Sequence, residues 1–444
     1  MTLPDTTARE LPVCVIGAGL SGLTTIKQLT DRGIDVVCFE IGSGIGGNWR
    51  YNNDNGRSVA YASLHIDTSK ERFAFGDLAA PEAWPAYLHH SQVLEYLETY
   101  AATFHLERVI RFSHEVLSVR RDGEAWEVEV VDTESGRSST ERFRAVVVAS
   151  GHHWDPAMPN FAGSFDGRVM HAHQYKVPEP FTDAHVIVVG LGNTGADIAS
   201  ELTAHAASVT LSTRSGAHIL PRYVMGRPLD TLSNRTASRL PLSAQRLAYK
   251  AILALGGPSQ TSSGIPRPDA PLLSQHPTVS QDLIGLAKSG KVRIAGDIAR
   301  LDGDAVRFAD GSTVKADVII YATGYNISFP FLDTSMVGVL DNEIDLYEMV
   351  VPVDVPGLYF VGLIQPVGAL PPLAEQQARW VAQLIDGAML PTPDEMTREI
   401  AERRSRRQNQ YLDRPRHTIQ VDYWPYLDHM TSLCDANDQI MMRR

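Results

Sequence analysis

The apolar positions of this 444-residue chain cluster in short unbroken runs rather than alternating with polar ones. The runs 12–16, 36–39, 145–148, 185–189, 318–321 and 358–361 each read as a strand buried on both faces, and 208–213, where Val209 and Leu211 alternate with hydroxyl side chains, reads as a further strand. That pattern belongs to parallel sheets covered by helices. Two of the runs end in glycine: Gly17, Gly19 and Gly22 follow the first, and Gly190, Gly192 and Gly195 follow the run 185–189. Both sets have the spacing G-x-G-x-x-G, and both open a stretch of helical periodicity, 20–30 and 194 to about 207. The pattern also predicts a hairpin around Asp310-Gly311, an irregular loop over 256–277, a helix over 373–385 and a solvated, arginine-rich helix face over 399–416.

A strand, a glycine loop and a helix in that order form a site for a dinucleotide. The first glycine permits the tight turn, the second lets a pyrophosphate approach the backbone, and the third lets helix and strand pack closely. The phosphates then meet unpaired amides at the helix amino terminus. The two copies differ where a ribose would lie. The strand after the first loop ends in Glu40, which accepts hydrogen bonds from ribose hydroxyls and disfavours a 2′-phosphate. The strand after the second loop ends in Arg214, whose planar donor fork and permanent charge suit such a phosphate. The first loop therefore favours FAD or NAD, and the second NADPH.

Small-small-Gly turns, Ala149-Ser150-Gly151 and Ala322-Thr323-Gly324, bracket the second loop. The expected architecture is α/β, with two Rossmann-like dinucleotide-binding domains. An NADPH-binding domain over 170–317 is inserted into an FAD-binding domain made of 1–169 and 318–444, with the two turns as hinges. The start of the helix over 373–385 is expected to face the flavin, which makes Gln376 a cofactor-binding candidate.

Composition narrows the function. A formal charge of −12 without a basic cluster argues against nucleic acid and anionic membranes as partners, so a small molecule is the default. No apolar run reaches the length of a membrane span, and residues 1–12 lack the layout of a signal peptide, which makes the cytoplasm the expected location. Cys14, Cys38 and Cys434 form neither a disulfide framework nor a C-x-x-C pair. The histidine pairs His89-His90 and His152-His153, with His171 and His173, lack metal-ligand spacing, and no metal is expected. A homodimer is compatible with this size.

Taken together, the motifs resemble the flavin-containing monooxygenases over nearly the whole chain. Phe165-x-Gly167-x-x-x-His171-x-x-x-Tyr175 matches that family's identifying motif. Gly46-Gly47-Asn48-Trp49 looks like its G-G-x-W flavin segment, and Ala322-Thr323-Gly324-Tyr325, followed by Phe329-Pro330, looks like its A-T-G-Y hinge. The resemblance implies an enzyme in which NADPH reduces FAD, oxygen forms a C4a-hydroperoxide, and an amine nitrogen or sulfide sulfur is oxygenated. The cofactor-binding candidates are then Gly17, Gly19, Ser21, Gly22, Glu40, Gly47, Asn48, Trp49, Asp67, Thr68 and Gln376, with Tyr175, Gly190, Gly192, Asn193, Thr194, Gly195, Asp197 and Arg214. The related Baeyer-Villiger monooxygenases have tryptophan and proline where this chain has Tyr175 and Lys176, which favours the softer nucleophiles. Ketone oxygenation, an NADPH oxidase-like activity, a disulfide or ferredoxin reductase, and a non-oxygenating flavoprotein are the alternatives.

One position departs from the family. The segment 63–70 reads S-L-H-I-D-T-S-K, and Asp67 stands where the family has an asparagine that touches flavin and NADP. An ionised carboxylate accepts hydrogen bonds and cannot donate them. Asp67 is therefore protonated in a dry site, or an acceptor for a cofactor amide, or a weaker support for the oxygenating species; the plain alternative is an anchor for Lys70 or a turn. It is the candidate catalytic residue.

Overall fold

The computed structural model describes residues 10–256, 260–412 and 414–442. The expectation of no signal peptide rests on residues 1–12, of which 1–9 lie outside the described residues. The chain forms two compact units. One comprises Met1–Ser58, Thr68–Asp155 and Asn326–Arg444, and the other Val59–Asp67 and Pro156–Tyr325.

In the first unit, β1 (Val13–Ile16) is followed by α1 (Leu20–Asp31), β2 (Val36–Phe39), α2 (His90–Thr103) and β3 (Ile110–Arg111). An antiparallel meander, β4 (His114–Asp122), β5 (Ala125–Asp132) and β6 (Ser138–Phe143), leads into β7 (Ala145–Val148). β1 lies between β2 and β7, parallel to both, with Val13 opposite Val36 and Ala145. Val13, Cys14 and Val15 are fully buried, as expected of a central strand with helices on its faces. On α1, Leu23, Ile26 and Leu29 are likewise buried, three residues apart on one stripe. Each such side chain contributes about 1.5–3 kcal/mol.

The second unit repeats the plan. Its elements are β8 (Gly163–Phe165), β9 (Arg168–His171), β10 (His185–Val189), α3 (Asn193–Leu202), β11 (Ser208–Ser212), β12 (Val292–Ala295), β13 (Ile298–Gly303), β14 (Ala305–Phe308), β15 (Thr313–Lys315) and β16 (Val318–Tyr321). The parallel sheet runs β9, β16, β10, β11, β12, again with the strand before the glycines in the middle. β14 and β15 form the expected hairpin, with Gly311 at φ +84° in its turn. The stretch 256–277 begins with Gly256 as the last residue of the helix Leu242–Gly256, and its remaining described residues carry one short turn of 3-10 helix, Gln260–Ser262, and no other helix or strand.

The remaining first-unit elements are β17 (Leu358–Phe360), α4 (Pro371–Ile385), α5 (Pro393–Gln410) and α6 (Tyr423–Met441). β17 pairs with β7 and completes the sheet β17, β7, β1, β2, β3. Two α/β units of dinucleotide-binding type are therefore present, as the runs and glycines predict.

Three expectations need correction. Val318–Tyr321 pairs with β9 and β10, and Gly163–Phe165 pairs with β13, so the second unit is longer than 170–317. An apolar run of four residues looks the same whichever sheet it joins, and only pairing decides. The second unit also takes in Val59–Asp67, for which no boundary was expected. On α5, Arg406 is exposed as expected, but three other arginines are not a solvated face: Arg403 donates to the Leu346 carbonyl, Arg404 to Glu343 and Asp345, and Arg407 to Glu343 and the Thr418 carbonyl. Their spacing of three and four residues puts them on one side of the helix, where they hold the turns beside it.

Candidate dinucleotide sites

At the first loop, Gly17 has φ +100°, and a Cβ there would lie 2.8 Å from the Ala149 carbonyl oxygen. A Cβ on Gly22 would lie 1.8 Å from the Gly17 oxygen. The turn and the close packing of α1 on β1 therefore both require glycine. No side chain caps α1 at Gly19, which leaves its first-turn amides to whatever lies before them. The segment Gly46-Gly47-Asn48-Trp49 runs against this loop: Gly46 N–H donates to the Ala18 carbonyl, and a Cβ on Gly47 would come within 3.2 Å of the Gly19 Cα. Asn48 accepts from the Ser58 hydroxyl through its carbonyl, and Trp49 sits edge-on to Phe73.

Glu40 is almost wholly enclosed. Its Oε2 accepts from Ala18 N–H at 2.7 Å and its Oε1 from Gly42 N–H at 2.8 Å. Burial pushes its carboxyl pKa up, opposed by those two amides and Asn55. Each oxygen keeps a lone pair for a further donor. Ser21 lies under Gly362, where a Cβ would fall 2.0 Å from the serine hydroxyl. Thr68 is half-buried. On α4, Gln376 Oε1 is buried with no hydrogen-bond partner among the described residues, an acceptor available to a bound group.

The second loop has the same construction. Gly190 has φ +118° and would place a Cβ 2.4 Å from the Ala322 carbonyl oxygen; Gly195 would place one 2.0 Å from the Gly190 oxygen. Around Gly192 the space is open, and no side chain caps α3. Thr194 is half-buried. Arg214, two residues past β11, is exposed and has no hydrogen bond or ion pair among the described residues. Loops that a Cβ would fill, uncapped helix starts and an available guanidinium fit two dinucleotides.

Asp67 belongs to this second unit. Its Oδ2 accepts from Asn193 Nδ2 at 2.6 Å, and its Oδ1 lies 3.3 Å from Arg222 Nη2. Asn193 is itself fixed, because its Oδ1 accepts from Val279 N–H at 2.9 Å. Asp197 accepts from the Tyr61 hydroxyl at 2.8 Å and lies 3.8 Å from the same Arg222 nitrogen. Burial, then the Asp197 charge, push the Asp67 pKa up to about 7, against Arg222 and Asn193. Lys70 donates to the carbonyls of Pro81, Glu82 and Trp84, so Asp67 is not its anchor. Sequence reasoning missed Tyr61 and Arg222. Arg222 stands 155 residues from Asp67, and no local motif marks it.

Tyr175 requires a correction. Expected to touch a cofactor, it is fully buried among apolar side chains, stacked on Phe181, with its hydroxyl donating to Glu201 at 2.5 Å. The rest of its motif is structural in the same way. A Cβ on Gly167 would strike the Asp317 carbonyl oxygen at 2.4 Å, and His171 Nδ1 accepts from His173 N–H while its own N–H donates to Gln174. Burial lowers the His171 pKa to about 4, so its ring is neutral. The His152 and His153 pKa values are lowered by burial as well. Among the described residues, the one group of three that could coordinate a metal is Glu348, Glu399 and His429, none singled out by sequence.

Comparison with known proteins places this geometry. A family model described as flavin-binding monooxygenase-like matches residues 10–443. Flavin-containing monooxygenase 5 of Rattus norvegicus is 39% identical over 447 residues, covering 97% of this chain and 84% of that protein. Among solved structures, the S-allyl-L-cysteine S-oxygenase of Allium sativum aligns with a TM-score of 0.72 at 26% identity, over 96% of this chain and 88% of that one. Cyclohexanone monooxygenase from Rhodococcus sp. Phi1 bound to NADP+ shares the fold, with a TM-score of 0.72 at 20% identity over 96% and 98%. The chain therefore belongs to the flavin-binding monooxygenase-like family, whose enzymes use FAD and NADPH.

Proposed function

We propose that this monooxygenase binds FAD at its first glycine loop and NADPH at its second, and that with O2 it oxygenates an amine nitrogen or a sulfide sulfur. The observation that carries the assignment is the pair of residues at the ribose ends, a buried carboxylate at Glu40 and an exposed guanidinium at Arg214. FAD held there would supply the redox and oxygen-activating chemistry, with NADPH as its reductant.

The chain's own residues bind and orient. Glu40 holds the Ala18 and Gly42 amides of the turn and keeps lone pairs for ribose hydroxyls. The uncapped first turns of α1 and α3 offer amides and a favourable dipole to pyrophosphate. Arg214 supplies donors for a 2′-phosphate. Asp67, held by Asn193 and Arg222, is the candidate catalytic residue, setting how much NADPH use ends in oxygenation rather than peroxide. No nucleophile or general-base pair is required.

A soft nucleophile as substrate is supported by Tyr175-Lys176 in place of tryptophan and proline, and by the name of the Allium relative, an S-oxygenase. The test is product analysis by mass spectrometry after NADPH turnover in air with a sulfide, a tertiary amine and a cyclic ketone, recording peroxide in parallel. Sulfoxide or N-oxide is the expected product. Lactone as the main product would make it a ketone oxygenase, and peroxide alone an oxidase.

A further inference from the structure

Asp67 and Asp197 share one cation. Arg222 Nη2 lies 3.3 Å from the first carboxylate and 3.8 Å from the second. The other titratable groups facing the pair are Tyr61 and His65, from the segment that carries Asp67, and Glu201, one turn beyond Asp197 on α3. Two carboxylates thus face a single guanidinium, with Glu201 adding negative charge near Asp197 and His65 opposing it. The side chains of Asp67 and Asp197 are only 27% and 23% exposed, and burial pushes both carboxyl pKa values up.

Both acids are tied to the end of α3 that meets phosphate. Asn193, whose amide donates to Asp67, is the first residue of that helix, and Asp197 is its fifth. A pyrophosphate on the uncapped amides brings fresh negative charge to this end. It competes for Arg222 and repels the carboxylates, and either effect favours their protonated form.

We propose that the Asp67 and Asp197 pair takes up a proton from solvent when NADP binds at the second glycine loop. The proton goes onto a carboxylate oxygen of the pair, and no electron moves. The inference rests on the reading of that loop as the NADP site.

The test is calorimetric titration of the FAD-loaded enzyme with NADP+ at pH 7.5, in two buffers of different ionisation heat. A group near pH 7 whose pKa rises by about one unit takes up roughly half a proton there. Asp67→Asn should abolish that uptake, and Asp197→Asn should reduce it. Relative to Asp67→Asn, which cancels the titration of the coenzyme's own 2′-phosphate, the wild-type Kd should weaken by up to about tenfold from pH 6 to 9. Without any variant, the infrared difference between NADP+-bound and free enzyme should contain a new carboxylic acid carbonyl band. Equal proton numbers in wild type and Asp67→Asn, or no such band, overturn the proposal. Absence of any binding heat overturns the reading of the loop, and the proposal with it.

Discussion

Asp67 is a carboxylate whose charge depends on its neighbours. An amide at the same place would keep the acceptor for Asn193, lose the attraction to Arg222, and gain a donor. One hydrogen bond is worth about 0.5–1.5 kcal/mol, or roughly two- to tenfold in the partition between product and peroxide. Asp67→Asn is accordingly expected to lower hydrogen peroxide released per NADPH, and Asp67→Ala to leave it high. If neither changes that yield, Asp67 has no part in coupling. The role proposed for Arg214 lies in binding alone. Because it is exposed, its replacement by alanine should raise KM for NADPH by about tenfold while leaving KM for NADH within about twofold.

The glycine loops make a sharper prediction at the level of the strand-loop-helix element. Gly195→Ala would force a Cβ to within 2.0 Å of the Gly190 backbone oxygen, so α3 must move off β10. Overpacking of this kind costs about 1–3 kcal/mol. The variant should keep its bound flavin, seen by absorbance, and lose NADPH-dependent flavin reduction; Gly22→Ala should instead lose flavin. The contrast measures which loop holds which cofactor. Both loops were legible in the sequence because their construction is local: a run of apolar residues, three glycines and a helix lie within one short stretch. Residues that meet only through the fold were not. Nothing beside Arg222 announces a partner 155 residues away, and Tyr175 resembled a cofactor contact until its burial showed a core residue. Three arginines of α5 misled for the same reason, since their partners Glu343, Asp345 and Leu346 lie in a distant turn.

Across the whole molecule, the buried acids set a pH dependence. The folded-state pKa of Asp67 is about 7, above the 3.8 of a free aspartate, so the folded protein holds this proton more tightly than the unfolded chain. Its contribution to stability is therefore complete below about pH 4 and is lost as pH rises through 7. Asp67→Asn cannot ionise. Relative to wild type, its Tm should rise by roughly 1–3 °C between pH 5 and pH 8, measured on flavin-loaded, coenzyme-free protein. An unchanged difference would place the Asp67 pKa near its ordinary value.

The short segment Val59–Asp67 belongs to a unit whose other residues begin at Pro156. The chain thus passes between its units four times, at 58/59, 67/68, 155/156 and 325/326. The unit with the second glycine loop is therefore not a cassette. A graft that exchanged 170–317 with a relative, to alter coenzyme preference, would leave behind Tyr61 and Asp67, together with the β16 strand beside β10. Coenzyme preference in this scaffold is a property to be edited at single positions, or with both pieces of the unit transplanted together.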